Sequence, residues 1–202
     1  MKVKTEAKRE SILNEAAQVF REQGFEGASM SAICARVGGS KATLYNYFSS
    51  KEELFFEIVN RSCEAEFDAA HQFLDQSSGD IAKDLQNFGE RFLEFLYSAD
   101  VQGSRRMAIS AAGKSELGRL MYERGVLRSQ RLVADFLRSA MRQGNLRDAD
   151  PVLATKQLYA LLEAELIDSF HFQLDGDIGK QKIAEATTRA LAVFLAAYGP
   201  RV

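Results

Sequence analysis

Only two prolines occur in 202 residues, at positions 151 and 200, and no Val/Ile/Thr-rich stretch alternates apolar with polar side chains. A chain with so few helix breakers and no period-two pattern hides its apolar groups by packing helices on helices. Apolar residues make up 46% and charged residues 27%, a balance that fills a core and is too apolar for a disordered chain. The expected class is all-α, with about nine helices.

Apolar spacing and end signals place them. Ile12, Ala16, Val19 and Phe20 predict a first helix over 5–23, stopped by Gly24. Ser29 can cap a short second helix, 30–37, broken by Gly38-Gly39. Ser40 can cap a third, 41–48. Ser50 and Glu53 have capping-box spacing for a long fourth helix through Phe55, Val59, Cys63 and Phe67 to about residue 74. Residues 75–80 read as a loop, 81–98 as a fifth helix, and 99–103 as a break. Residues 104–125 read as one or two short helices closed by Gly125. A seventh helix covers 126–143. Asp150-Pro151, a cap followed by proline at the first helical position, opens an eighth over 151–171. The loop "QLDGDIG" precedes a last helix carrying Ile183, Ala190, Leu191, Phe194 and Tyr198. The eighth is apolar nearly all round, the mark of a helix covered on every side.

Several classes drop out. No apolar run approaches the roughly 18 residues of a membrane span. The opening "MKVKTEAKRESIL" has no apolar signal-peptide stretch, which predicts a cytoplasmic protein. Cys34 and Cys63, with His71 and His171, are too few for a disulfide framework or a zinc site. His71 is expected at the surface and His171 in a core or interface. A phosphate loop at Gly113-Lys114-Ser115 would need a glycine where Ala108 stands and a strand before it. No HExxH, GxSxG or CxxC occurs, so the chain is expected not to be an enzyme, and no cofactor or metal is expected.

Net charge is −2, yet it is unevenly spread. Residues 1–51 hold eight Lys/Arg, including Lys2, Lys4, Lys41 and Lys51, against five Glu, or +3, which leaves −5 for the rest. A basic end on an acidic body points to a polyanion partner for that end. Within it, "VGGSKATLYNYFSSKEELF" (37–55) crowds glycines, caps and aromatics into a pair of short helices. Two short helices about a tight glycine turn, the second apolar on one side only, describe a helix-turn-helix whose second helix enters the DNA major groove. Ala42 permits close approach. Thr43 offers a methyl suited to thymine. Tyr45 and Tyr47 can donate to phosphates, and Lys41 can reach a guanine edge or a phosphate. Lys51 adds charge at a helix N-terminus. Leu44 and Phe48 form the buried side.

These residues resemble the TetR/AcrR family of bacterial transcriptional regulators, whose pattern includes Ser-Lys-x-Thr-Leu-Tyr-x-Tyr/His-Phe-x-Ser/Asn-Lys-x-x-Leu. The likeness covers about residues 9–56, and 121–162 is similar to the AefR-like C-terminal class. The resemblance implies a helix-turn-helix DNA-binding domain over 1–50 and a helical ligand-binding and dimerisation domain over 51–202. It implies an operator-bound repressor released by a small molecule. By position, Tyr45, Lys51 and the capping Ser29 correspond to phosphate contacts. Lys41, Ala42, Thr43, Asn46 and Tyr47 correspond to contacts with bases or nearby phosphates, with Ser31 and Ser40 as further candidates. The sequence departs from the pattern at Gly39, where an apolar residue is usual and a looser turn is expected, and at Cys34, where alanine is usual.

An effector cavity is expected among helices four to eight, walled by Phe67, Phe88, Phe92, Phe95, Met107, Met121 and Tyr122 and suited to an apolar or aromatic compound. Arg105, Arg106 and Arg128 could instead meet an anion, but are read as solvated surface groups. A homodimer is expected through the last two helices, with Leu162, Leu166, Phe170, Leu191, Phe194 and Leu195 at the interface. The alternative is a ligand-independent, architectural DNA-binding protein.

Overall fold

A computed structural model of the chain describes residues 5–75, 79–174 and 178–200 and is helical throughout, with no strand among these residues. Lys2 and Lys4, and the centres of the loops expected near 76–78 and 175–177, lie outside the described residues. The chain forms two compact units that do not follow sequence order: residues up to Cys63 with Ser104–Gly125, and Glu64–Gly103 with Val126 onward. The boundary expected at residue 50 thus differs from the observed division, which falls inside a helix.

The first unit is built on α1 (Glu6–Gly27), α2 (Met30–Val37), α3 (Lys41–Tyr47) and the start of α4 (Lys51–Asp75). The Thr5 side chain caps α1 by accepting from the Lys8 N–H. Gly24 does not end the helix. It takes φ +70° and bends it, and one more turn follows to Gly27. Ile12, Leu13, Val19, Phe20, Ile33, Leu44 and Leu54 close a core in which Phe20, Phe25 and Phe55 meet with centroids 5.2–6.0 Å apart. Ala111 of α6 (Ala99–Ala111) and Leu117 of α7 (Leu117–Met121) complete it. The break expected at 99–103 is therefore helix, because Ala99 to Gly103 contains no proline and its glycine is tolerated. Gly125 does not close a helix either: Tyr122–Val126 forms a wider π-turn that runs into α8 (Leu127–Arg142).

The second unit packs α5 (Ile81–Leu96) on α11 (Lys180–Tyr198), α11 on α9 (Pro151–Glu163), and α9 on α8. Asp80 caps α5 and Asp150 caps α9, each side chain accepting from two backbone N–H groups. The single helix expected over 151–171 is two, α9 and α10 (Ile167–Phe172), joined by a turn at 164–166. Leu85, Phe88, Leu93, Val133, Leu137 and Leu158, each fully buried, form the centre of this core. At Gly89, α5 packs closely on α11 and α9: a Cβ there would sit 2.6 Å from Thr187 Cγ2 and 2.9 Å from Leu162 Cδ2.

Candidate nucleic-acid interface and ligand site

The α2–α3 pair has the geometry of a helix-turn-helix, held by local chemistry. Ser29 Oγ accepts from the Ala32 N–H at 3.1 Å and Ser40 Oγ from the Thr43 N–H at 3.1 Å, so both serines serve as N-caps. Gly38 and Gly39 both have positive φ, +67° and +130°, where a side chain is strained. This accounts for glycine in place of an apolar residue at 39. The Cys34 thiol, buried in the core, donates to the Gly39 carbonyl at 3.5 Å. The two departures from the family pattern thus lie against each other, and the thiol supports the turn that the glycine makes.

From this turn α3 buries Leu44 and Phe48 and exposes Lys41, Ala42, Tyr45 and Asn46, with Thr43 and Tyr47 half-buried. Thr43 Oγ1 lies 3.0 Å from Ser40 Oγ, and the Tyr47 hydroxyl accepts from the Thr5 N–H at 2.9 Å. Ser31 is exposed at the start of α2. At the head of α4, Ser50 Oγ accepts from the Glu53 N–H, and Glu53 accepts from both the N–H and the hydroxyl of Ser49. Lys51 is not a free arm: its ammonium donates to the Phe25 carbonyl at 2.8 Å and lies 4.3 Å above the Phe25 ring. It secures the chain just after the Gly24 bend, and an ammonium has two further donors.

The seven residues expected to wall one cavity fall in both units. Phe67, Phe88, Phe92 and Phe95 belong to the second unit and pack on one another and their neighbours, with Phe88–Phe92 at 5.4 Å and Phe67–Phe95 at 6.0 Å. Met107 and Met121 pack on the first unit's core, and Tyr122 is exposed in the π-turn. Helical spacing shows that a residue is apolar-facing but not which core it faces.

Sequence reasoning also missed a buried polar chain. His71, 5% exposed rather than at the surface, stacks on Phe67 at 4.2 Å. Its Nδ1 lies 2.7 Å from the Phe67 carbonyl and its Nε2 2.7 Å from Ser129 Oγ, which is 2.6 Å from the Tyr159 hydroxyl. A carbonyl can only accept, so Nδ1 carries a proton. In the neutral ring the order is then fixed: Tyr159 donates to Ser129, Ser129 to Nε2, and Nδ1–H to Phe67. Burial pushes the Tyr159 phenol well above its usual value, against the Ser129 hydrogen bond. Tyr159 also stacks on Phe92 at 4.7 Å. His171, expected inside, is exposed.

Arg128 is more engaged than a solvated arginine. It donates to Glu64 at 2.8 and 3.0 Å and to Asp68 at 3.4 Å, and lies 4.3 Å from the centre of the Phe67 ring. The Glu64 hydrogen bonds hold its guanidinium above the ordinary value. Beside it, residues of α4, the start of α5 and α8 line a cleft of about 760 Å³.

Five of the six residues expected at a dimer interface are buried within this chain. Leu162, Leu166, Phe170, Leu191 and Phe194 are at most 4% exposed and Leu195 is half-buried, all packed in their own chain's core. The outward positions of α9 and α11 are others, among them Val152, Leu153 and Val193, at 49–55% exposure. A nearly all-apolar helix fills its own core first, and its pattern does not separate that face from an intermolecular one.

Among the described residues no helix is long and apolar enough to cross a membrane, and no cluster of three His, Cys, Asp or Glu could hold a metal. Residues 12–58 match the profile of bacterial regulatory proteins of the tetR family, and residues 83–200 that of the AefR-like transcriptional repressor C-terminal domain. The transcriptional regulator UidR of Escherichia coli K12 is 44% identical over 59 residues, 29% of this chain and 30% of UidR. The transcriptional activator FasR of Mycolicibacterium smegmatis is 34% identical over 98 residues, 48% of this chain and 44% of FasR. The chain thus spans less than half the length of these two relatives. The solved structure of the flavonoid-responsive regulator FrrA superposes with a TM-score of 0.77 at 31% identity, over 98% of this chain and all of FrrA. These relatives are regulators, not enzymes. With a capped, glycine-turned helix pair at one end and an AefR-like helical domain over more than half its length, the chain belongs to the TetR family of bacterial regulators.

Proposed function

We propose that the protein is a homodimeric transcriptional repressor of the cytoplasm that leaves a palindromic operator when a small molecule binds its second unit. The observation that carries the DNA reading is α3: a rigidly capped helix whose inner side is locked by Leu44 and Phe48 while Lys41, Ala42, Tyr45 and Asn46 face outward. Thr43, Ala42 and Asn46 would read base edges, and Tyr45, Tyr47 and Lys51 would contact phosphates. Ser29 and Ser40 contribute as caps. Each directs backbone N–H groups of a helix start outward, where a phosphate can meet them.

Repression follows the AefR-like repressor profile over 83–200. Response to a small molecule follows the likeness to flavonoid-responsive FrrA over the whole length of both chains, which favours an aromatic effector. Pairing of two chains would use the outward faces of α9 and α11 around Val152, Leu153 and Val193. Such a dimer presents two recognition helices to half-sites about 34–36 Å apart, or a multiple of that.

The test is selection of binding sites from a randomised DNA library, then titration of the selected site at two salt concentrations. The expected site is palindromic. Thr43→Ala should change base preference at one half-site position at a cost of about 1–3 kcal/mol. Tyr45→Phe should weaken every site about equally. A library without an enriched palindrome, or unchanged affinity in both variants, would refute the reading.

A further inference from the structure

The cleft between α4, the start of α5 and α8 has a consistent chemistry. Its floor is apolar and buried: Leu74, Phe136, Ala140 and the His71 ring, whose nitrogens are engaged with Phe67 and Ser129. Its rim holds the carboxylates of Asp68 and Asp135, well exposed at 65% and 69%, with Gln143 and Asn145 beyond them. The lining cation, Arg128, is held by Glu64 and Asp68, and Asp135 pairs with Arg138. Glu64, Asp68 and Asp135 are thus each already paired with a guanidinium, while several acceptor lone pairs remain. A volume of about 760 Å³ lies in the roughly 300–1,000 Å³ range of small-molecule sites.

We propose that this cleft is the effector site and that it takes a neutral aromatic compound carrying several hydroxyl groups, the rings on Phe136 and Ala140 and the hydroxyls donating to Asp68 and Asp135. The assignment rests on the ligand-responsive reading above and moves the site away from the phenylalanine cluster, whose rings pack on one another. An anionic head group would face two carboxylates with the lining guanidinium already bound. A cationic one would compete with Arg128 and Arg138 for carboxylates already paired with them. A neutral donor gains a charge-assisted hydrogen bond at each carboxylate without bringing a charge out of water.

The test is calorimetry of the full chain without DNA, using resveratrol, its trimethyl ether, palmitate and benzyltrimethylammonium. Resveratrol should bind, and the ether, which keeps the rings but cannot donate, should bind at least roughly tenfold more weakly. Two variants at exposed positions spare the fold. Asp68→Asn with Asp135→Asn should weaken resveratrol by about tenfold, and Leu132→Trp, at a lining residue that is 40% exposed, should abolish its binding by filling the mouth. No binding of resveratrol, equal binding of the ether, tighter binding of palmitate or the ammonium compound, or unchanged binding in Leu132→Trp would each overturn the assignment. Operator release separates the two ideas. Release by palmitate, alike in wild type and Leu132→Trp, would leave the regulator ligand-responsive and refute the cleft. Resveratrol binding that Leu132→Trp abolishes, without DNA release, would support the cleft and refute the response.

Discussion

Replacing Ser129 with alanine isolates the buried polar chain of the second unit. The serine hydroxyl, 6% exposed with its residue, is the middle link: it gives its proton to His71 Nε2 and accepts that of Tyr159. Ser129→Ala therefore takes a hydrogen-bond partner from two groups, a ring nitrogen and a phenolic hydroxyl. An orphaned buried polar group costs about 1–3 kcal/mol, so two cost roughly 2–6 kcal/mol, and water reaching His71 from the cleft brings the expected loss to about 2–4 kcal/mol. Tyr159→Phe is milder. Ser129 keeps its bond to His71 and loses only an incoming one, a cost of about 1 kcal/mol. In the double variant no phenol remains to be orphaned, so its cost should not exceed that of Ser129→Ala alone. The shortfall from additivity is the coupling, expected at about 1 kcal/mol or more. Urea unfolding followed by circular dichroism, at fixed protein concentration because pairing contributes to stability, measures the cycle. Equal costs for the two single variants, or strict additivity, would show that the three side chains do not act as a directed chain.

Four further outcomes follow from the same structure. The Tyr159 phenol has its pKa raised by burial, so the stability tied to its neutral form is complete below about pH 10 and is lost as pH rises toward the folded value; wild type should lose stability in alkaline urea titrations more steeply than Tyr159→Phe, and parallel curves would refute this. Gly89→Ala places a methyl against Thr187 and Leu162, and overpacking there should cost about 1–3 kcal/mol, less the gain in helix propensity, read as a lower unfolding midpoint. Thr187→Val removes a buried hydroxyl with no hydrogen-bond partner among the described residues and should raise stability by about 1 kcal/mol, read as a higher midpoint. Lys51→Ala removes a charge and the tie to Phe25 together, so it should reduce the salt slope of DNA binding by roughly one and also lower the first unit's stability; loss of the first without the second would show that the tie is dispensable.

The sequence by itself determined the helical class, the helix-turn-helix and the residues that face outward from α3. Those features depend on neighbours within a few positions: a serine three residues before an N–H, a glycine at positive φ, an apolar pair four apart. Wherever chemistry is that local, reading along the chain suffices, and the bounds of α2 agree with the expectation to the residue. Tertiary structure alone decided which core each apolar face joins. Met107 and Met121 are apolar helix residues like the phenylalanines, yet they pack on the first unit's core, which includes Leu117. Leu162 and Phe194 have the pattern of an interface and fill their own core. His71, Ser129 and Tyr159 stand 58 and 30 residues apart and carry no joint signal in sequence. Hydrophobic burial is non-directional: periodicity states that a face must be covered, and only the packing of distant segments states by what.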